Sequence, residues 1–304
     1  MDSSLKILSM NCRGLGDKQK RRDVFQYLKQ KHTNIICLHD VHFDDKKEPI
    51  IEAEWRFKTL ICGYTTAARG VTILFNNNFE YKLNKICKDT ISGNFIIIDI
   101  EVGQKRFILA NIYGPNEDNP KFYQNIQSKL QNFQCENMII CGDWNLTLNP
   151  EKDTFNYKHV NNPKARLQVL KLCDELDLVD VWRCSNENKR IYTWAKSNPI
   201  KRARLDFFLV SENFMNVISD PKIESGYRTD HSIISISVNL SSNKRGRGYW
   251  KFNSSLLYDF KFVNMIKAEI YEIKQKYAVL VYEREYIKNS QDKIELTIDD
   301  QLFF

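Results

Sequence analysis

Polar residues recur in this chain where strand-like apolar runs end, and their types form one chemical set. Asn11 follows Leu8-Ser9-Met10, Asp40 follows Ile35 to Leu38, and Tyr113 follows Asn111-Ile112. Asp143 and Asn145 close the run Ile139 to Gly142, Asp206 lies within Leu205 to Val210, and Asp230-His231 precedes a last strand-like stretch. Packed sheets expose such positions at one rim. Acids, amides and a histidine converge there without a Ser, Cys or Lys nucleophile signature. That equipment suits metal-assisted hydrolysis of a phosphodiester. The reaction needs a cation on a non-bridging oxygen, a deprotonated water in line and help for the leaving alkoxide. Carboxylates and amides are hard oxygen ligands that suit Mg2+, with Mn2+ as a substitute, whereas zinc calls for His or Cys. A histidine beside acids stays protonated.

The elements that must hold these residues follow from periodicity. Residues 5–10 read as a strand, Arg22 to Lys31 as a helix with Val24, Phe25 and Leu28 on its apolar side, and Asn34 to Leu38 as a second strand. From Phe57 to Ile112 the pattern turns to short β-rich runs: Val71 to Phe75, Phe79 to Cys87, Asn94 to Val102 and Arg106 to Ile112. Glycines break them, which predicts antiparallel neighbours. After Gly114-Pro115-Asn116 come a helix with Phe122, Ile126, Leu130 and Phe133 on one side and the strand Met138 to Cys141, so the opening unit repeats. A helix over Ala165 to Leu176 and strands at Ile191 to Ala195, Leu205 to Val210 and Ile233 to Leu240 complete an α/β layout. Its most economical form is two packed, mainly antiparallel sheets flanked by helices.

With 304 residues, 42% hydrophobic and 12% aromatic, the chain is long enough to bury one large core. No apolar run nears the roughly 20 residues of a membrane-spanning helix. The N-terminus lacks the charged start, apolar stretch and small-residue cleavage site of a secretory signal. Both points lead to the expectation of an intracellular protein with no membrane partner. The eight cysteines include no C-x-x-C pair, and most sit in apolar runs, which favours buried thiols over disulfides or zinc. The net charge of +7 is concentrated at Lys18 to Arg22, Lys196 to Arg204 and Lys244 to Lys251, as for a polyanionic partner.

Residues 241–251 (SSNKRGRGYWK) have the composition of a linker, which sets a domain at 1–240 apart from an extension at 241–304. In the extension, Val263, Ile266, Ile270, Ile273, Tyr277 and Leu280 follow the 3-4-3-4-3 spacing of a heptad seam on a long helix. So short a seam is marginal as an independent coiled coil. It is expected to dock on its own domain or, through residues 256–287, on a partner helix. The apolar ending Leu302-Phe303-Phe304 reads as a cut within a longer polypeptide.

Taken in order, seven motifs carry a family resemblance. They are Asn11-x-x-Gly14-Leu15, Leu38-x-Asp40-x-His42, Asn111-Ile112-Tyr113-x-Pro115-Asn116, Gly142-Asp143-Trp144-Asn145, Tyr192-Thr193-Trp194, Arg204-Leu205-Asp206 and Thr229-Asp230-His231-Ser232. Across residues 5–240 they resemble the endonuclease/exonuclease/phosphatase (DNase I-like) superfamily. Within it the chain is most similar to the apurinic-type endonuclease domain of LINE-type non-LTR retrotransposons. Gly248-Tyr249-Trp250-Lys251-Phe252-Asn253 and the helix after it resemble the linker toward the reverse transcriptase of such an element.

The resemblance implies a four-layer α/β-β/α sandwich with a C-terminal helical extension. It implies a Mg2+-dependent endonuclease that acts in the nucleus on double-stranded DNA, leaving a 3′-hydroxyl to prime reverse transcription by a reverse transcriptase domain of the same polyprotein. By the same resemblance Asp40 is a metal ligand with Asn11 beside it. Asp143 positions or deprotonates the attacking water, and Asn145 supports the phosphorane charge. Asp206 holds His231 protonated against the scissile phosphate, and Asp230 helps the metal or the histidine. Tyr113 and Asn116 position the phosphate, while Thr193 and Trp194 touch the DNA near the cut. A basic hairpin carrying Lys196, Lys201, Arg202 and Arg204 enters the minor groove and reads its width.

The chain departs from the family pattern in reading His39-Asp40-Val41 where Gln-Glu-Thr is usual. Asp is one methylene shorter than Glu, and a misplacement near 1 Å costs about a hundredfold in rate, so lower activity or another metal preference is expected. His39 and His42 flank Asp40, but on a strand they fall on opposite sides, and no third His or Cys completes a set, so both are read as supporting or surface residues. Three rival readings stand beside the main one. Two belong to the same superfamily, a small-molecule phosphoesterase and an abasic-site endonuclease. The third is a catalytically weakened DNA-binding module, which Asp40 alone supports.

Overall fold

Near-continuous apolar runs give the central strands two apolar faces, and the unit formed by residues 1–242 buries both. The computed structural model describes residues 4–76, 79–240 and 254–288. In β1 (Ser4–Asn11), Leu5 and Ile7 enter one apolar layer and Leu8 and Met10 another, as the period of two requires. Helix α1 (Lys18–Lys29) starts before the periodicity does, because the Asp17 carboxylate accepts the Lys20 N–H at 2.6 Å and caps it. It leads to β2 (Ile35–His39), which lies parallel to β1. Then comes α2 (Glu48–Trp55), a helix absent from the sequence reading. Its apolar signal is little more than Ile51 and Trp55, four residues apart and both fully buried. Strands β3 (Thr59–Cys62) and β4 (Val71–Phe75) follow.

The chain continues through β5 (Lys82–Lys88), β6 (Phe95–Val102), β7 (Lys105–Tyr113), α3 (Pro120–Gln131) and β8 (Met138–Asp143). Next come α4 (Pro150–Asp153), β9 (Thr154–Phe155), α5 (Pro163–Glu175), β10 (Leu178–Asp180) and α6 (Val181–Ser185). A hairpin of β11 (Trp194–Ser197) and β12 (Ile200–Ala203) precedes β13 (Asp206–Ser211), β14 (Ile218–Glu224) and β15 (Ile233–Asn239). The strand expected at Ile191 to Ala195 thus begins at Trp194 and turns back on itself.

Two six-stranded sheets result, ordered β14-β15-β1-β2-β4-β3 and β10-β13-β8-β7-β6-β5, beside a small sheet β11-β12-β9. Each large sheet has one parallel pair, β1 with β2 and β7 with β8, and is otherwise antiparallel. Those are the two copies of the strand-helix-strand unit. Three apolar layers separate four structural ones. Ile7, Cys37, Ile73, Ile98, Leu109 and Phe208 fill the space between the sheets. Leu8, Phe25, Leu28 and Trp55 fill that under α1 and α2, and Ile140, Ile126, Leu130 and Val169 that under α3 and α5. The fold is the four-layer α/β-β/α sandwich.

All eight cysteines are free thiols, and Cys12, Cys37, Cys62 and Cys141 are buried. In the unit formed by residues 243–304, the Asp259 carboxylate accepts the Lys261 and Phe262 N–H groups at the start of α7 (Phe260–Lys288). Ile266, Ile270 and Ile273 of the heptad seam are exposed. The side chains of Tyr277 and Leu280, the linker 241–251, the motif 248–253 and the ending Leu302-Phe303-Phe304 lie outside the described residues. Among the described residues no helix is long and apolar enough to cross a membrane.

Candidate active site

Strand pairing alone gathers the polar residues at one rim. β8 runs parallel to β7 and antiparallel to β13, so Tyr113 stands opposite Asp143 on one side and Asp206 opposite it on the other. β1 runs parallel to β2 with Asn11 opposite His39, which brings Asp40 to the same end of the other sheet. Asn11 then joins the sheets, since its Nδ2 donates to Asp143 Oδ2 at 2.8 Å. Gly142 is needed beneath this point. Its φ is +154°, and a Cβ there would lie 1.9 Å from the Ile112 carbonyl oxygen.

His231 sits between two carboxylates. Its Nδ1 donates to Asp206 Oδ2 at 2.8 Å, and Nε2 lies 3.8 Å from Asp143 Oδ2. Burial pulls the imidazole toward neutrality, but the charges of Asp206 and then Asp143 outweigh it and lift its pKa to about 9. Asp143 is pushed well above the carboxylate range by burial and by Asp206, with His231 pulling the other way. Asn145, at φ +49°, donates its backbone N–H to Asp143 Oδ1 at 3.0 Å and its side-chain amide to the Gly114 carbonyl at 2.7 Å. Tyr113 is a neutral phenol, since burial and the nearby Asp40 and Asp143 charges raise its pKa.

Asp40, Tyr113 and the exposed Asn116 line a cavity of about 260 Å³, together with His42 and Arg69. Asp230 is engaged: Trp194 Nε1 donates to its Oδ2 at 3.2 Å, and Arg13 reaches the same oxygen at 3.5 Å. The carboxylate adds a smaller pull on the His231 proton.

Two residues expected to touch DNA are instead internal. Thr193 is 1% exposed, and its hydroxyl accepts the Leu205 and Asp206 N–H groups at 2.9 and 3.0 Å, so it fixes the start of β13 under Asp206. Arg204 is also 1% exposed and gives its guanidinium to Asp153 and Asp180, which removes it from the basic face of the hairpin. Lys196 and Arg202 remain exposed and Lys201 half-buried, with Lys201 over the Tyr157 ring and Arg202 over Phe155. Trp194 is half-buried and pairs with His231 across an isolated bridge. Sequence reading missed Asn111, whose amide donates to the carbonyls of Leu38 and Thr72 and ties the two sheets together. His42, read as a supporting or surface residue, hydrogen-bonds Asp40 and so supports it. The loop after β2 holds both residues at positive φ.

The donor chemistry fits a hard divalent cation at Asp40. Its carboxylate stands in the cavity wall, and Asn11 Oδ1, which accepts the Arg13 N–H, keeps a second lone pair. Asp143, Asp206 and His231 also bring ligand atoms within 4.8 Å of one another. That group is better satisfied as it stands, because a protonated His231 supplies the positive charge a cation would bring and Asp206 occupies its Nδ1.

No protein-family model matches the chain. A curated relative, the "Transposon TX1 uncharacterized 149 kDa protein" of Xenopus laevis, is 23% identical over 269 residues, which are 87% of this chain and 20% of that protein. The chain therefore spans about a fifth of that relative's length. Among solved structures, the AP endonuclease LMAP of Leishmania major superposes with a TM-score of 0.66 at 12% identity, covering 78% of this chain and 88% of the other. The endonuclease domain of TRAS1, a telomere-specific non-LTR retrotransposon, gives 0.57 at 12% identity, covering 78% and 100%. The chain shares the fold of these nucleases, the group to which its motifs bear their resemblance.

Proposed function

We propose that this chain is a divalent-metal-dependent DNA endonuclease of a LINE-type non-LTR retrotransposon. It nicks double-stranded DNA in the nucleus and leaves a 3′-hydroxyl that primes reverse transcription by a reverse transcriptase domain of the same polyprotein. The buried array in which Asp206 holds His231 and His231 faces Asp143 carries this reading. It is a device for stabilising negative charge next to a group that accepts a proton. Asp40 and Asn11 would hold Mg2+ or Mn2+, which when bound withdraws charge from a non-bridging phosphate oxygen. Asp143 takes the proton of the attacking water, a task suited to its raised proton affinity. The His231 imidazolium and the Asn145 amide stabilise the phosphorane. Tyr113 and Asn116 hold the phosphate from the cavity side, and Asp230 keeps Trp194 beside His231.

The distribution of basic residues supports a polyanionic substrate. In the first basic run Arg21 is buried against Glu54, while Lys18 and Arg22 are exposed next to the loop that carries Arg13. In the second, Lys196, Lys201 and Arg202 are available and Arg204 is not. Each of Lys196→Ala and Arg202→Ala is expected to lower the slope of log affinity for duplex DNA against log salt by about 0.9, one phosphate contact apiece. Affinity measured over a salt series checks this, and unchanged slopes would remove the hairpin from the interface.

Since proton abstraction needs Asp143 ionised and charge stabilisation needs the imidazolium, activity should rise as pH passes about 7 and fall as pH rises through about 9. Asp206→Asn removes the main charge raising that value, so the alkaline limb should move down toward about 6.5. A pH–rate profile of both proteins tests it, and a limb that stays in place contradicts the role of Asp206.

The reading as a whole is tested on four substrates: intact supercoiled plasmid, a duplex with one abasic site, inositol phosphates and a soluble phosphomonoester. Nicks in intact DNA whose 3′ ends a polymerase extends are expected. Cleavage confined to the abasic duplex, or phosphate release from the soluble esters, would favour the corresponding rival. Metal-independent binding without nicking would favour a binding module.

A further inference from the structure

The short side chain of Asp40 is held by a neighbour two residues away. His42 Nε2 hydrogen-bonds Asp40 Oδ1 at 3.0 Å, and the Arg69 backbone N–H donates to the same oxygen at 3.2 Å. Both bonds depend on an unusual loop. Asp40, His42 and Arg69 all have left-handed backbones, with φ of +52°, +59° and +61°, and Arg13 has +48°. Non-glycine residues keep such angles only where surrounding structure imposes them, and they collect at functional sites.

The surroundings here are explicit. On one side Gly14 N–H donates to the Asp40 carbonyl at 2.7 Å and Leu15 N–H to that of Val41 at 2.9 Å. On the other, His42 N–H donates to the Arg69 carbonyl at 2.8 Å and Val41 N–H to that of Gly70 at 3.2 Å. The imidazole packs against Gly14, where a Cβ would come within 2.8 Å of His42 Nδ1. The ring is thus held in place by a residue that has no side chain to displace it.

We propose that His42 is a positioning residue that, with the Arg69 N–H, fixes Asp40 through Oδ1 so that the carboxylate presents Oδ2 to a divalent cation at the cavity wall. A carboxylate one methylene shorter than Glu is thereby held where a ligand is needed. His42 itself does not ligate the ion, because Nε2 is committed to Asp40 and Nδ1 is turned onto Gly14. Partners of this kind orient metal ligands, and their loss typically costs 10- to 100-fold in metal affinity.

The inference rests on Asp40 being a cation ligand, so the test separates the two claims. Mn2+ alone is titrated into the full chain and free Mn2+ is read by electron paramagnetic resonance, with no DNA present. His42→Asn tolerates the left-handed backbone but is too short to keep the bond, while His42→Gln restores a donor at similar reach. Urea midpoints of all variants show that each is folded. The expected result is one Mn2+ site lost in Asp40→Ala, weakened about 10- to 100-fold in His42→Asn and largely recovered in His42→Gln. Loss in Asp40→Ala with unchanged affinity in His42→Asn would overturn the role of His42 alone. Coupling of the bound Mn2+ to a histidine nitrogen would make His42 a ligand and overturn it too. Equal Mn2+ binding by Asp40→Ala and the unsubstituted protein would remove Asp40 as a ligand, and the inference with it.

Discussion

Asp143→Asn should slow nicking of supercoiled DNA by roughly 10²- to 10⁴-fold, the usual contribution of a positioned general base. The substitution keeps the size of the side chain and leaves an oxygen able to accept the Asn145 N–H. It removes the carboxylate proposed to take the proton from water. It also places an amide against Asn11 Nδ2, which now donates to a carboxylate oxygen at 2.8 Å, so a loss of about 1–3 kcal/mol in stability accompanies the kinetic effect. The two losses are separable. Rates are measured at a temperature where the melting curve shows the variant fully folded, and a rate within a few-fold of the unsubstituted protein would take Asp143 out of the chemistry.

The largest effect on stability is expected at a residue that touches no substrate. Asp153 is fully buried and accepts two bonds from Arg204, Nε and Nη2 each at 2.9 Å, and another from Arg183 Nη2. Its backbone carbonyl accepts the Arg204 N–H at 2.9 Å. Asp153→Ala leaves Arg204 charged and interior with only Asp180 opposite it, and removing one partner of such a buried pair costs about 3–5 kcal/mol. That is a large share of the roughly 5–15 kcal/mol that holds a typical domain together. Urea unfolding measures it. Because Arg204 lies between β12 and β13, the loss should also loosen the hairpin on one side and Asp206 on the other. A cost below about 1 kcal/mol, the range of surface ion pairs, would show that Arg204 is not held as described.

These residues show where sequence reading succeeds and where it stops. The layers and the rim were legible because they depend on local pattern. Short continuous apolar runs identify strands such as Ile139 to Cys141, and polar residues at their ends mark the rim wherever parallel and antiparallel pairing brings strand ends together. α2 was not legible, since an eight-residue helix with two buried apolar positions leaves too little periodicity. Neither was the fate of Thr193 and Arg204. A Thr next to a Trp and an Arg within a basic run look like surface residues until the fold supplies their partners. For Arg204 those are acids 51 and 24 residues earlier in the chain. His42, read as a supporting or surface residue, proves to be a supporting one through its bond to Asp40, and what the sequence does not show is the left-handed backbone of both residues that shapes this loop.

Metal-dependent cutting of DNA by the proposed His231 array is read by incubating supercoiled plasmid with residues 1–304 in Mg2+, in Mn2+ and in chelator, beside His231→Ala and Asp143→Asn proteins shown to be folded. Open circles with extendable 3′-hydroxyl ends are expected, formed by the unsubstituted protein only when metal is present and nearly abolished in both variants. Equal nicking by the His231→Ala protein, or nicking that persists in chelator, would rule this mechanism out.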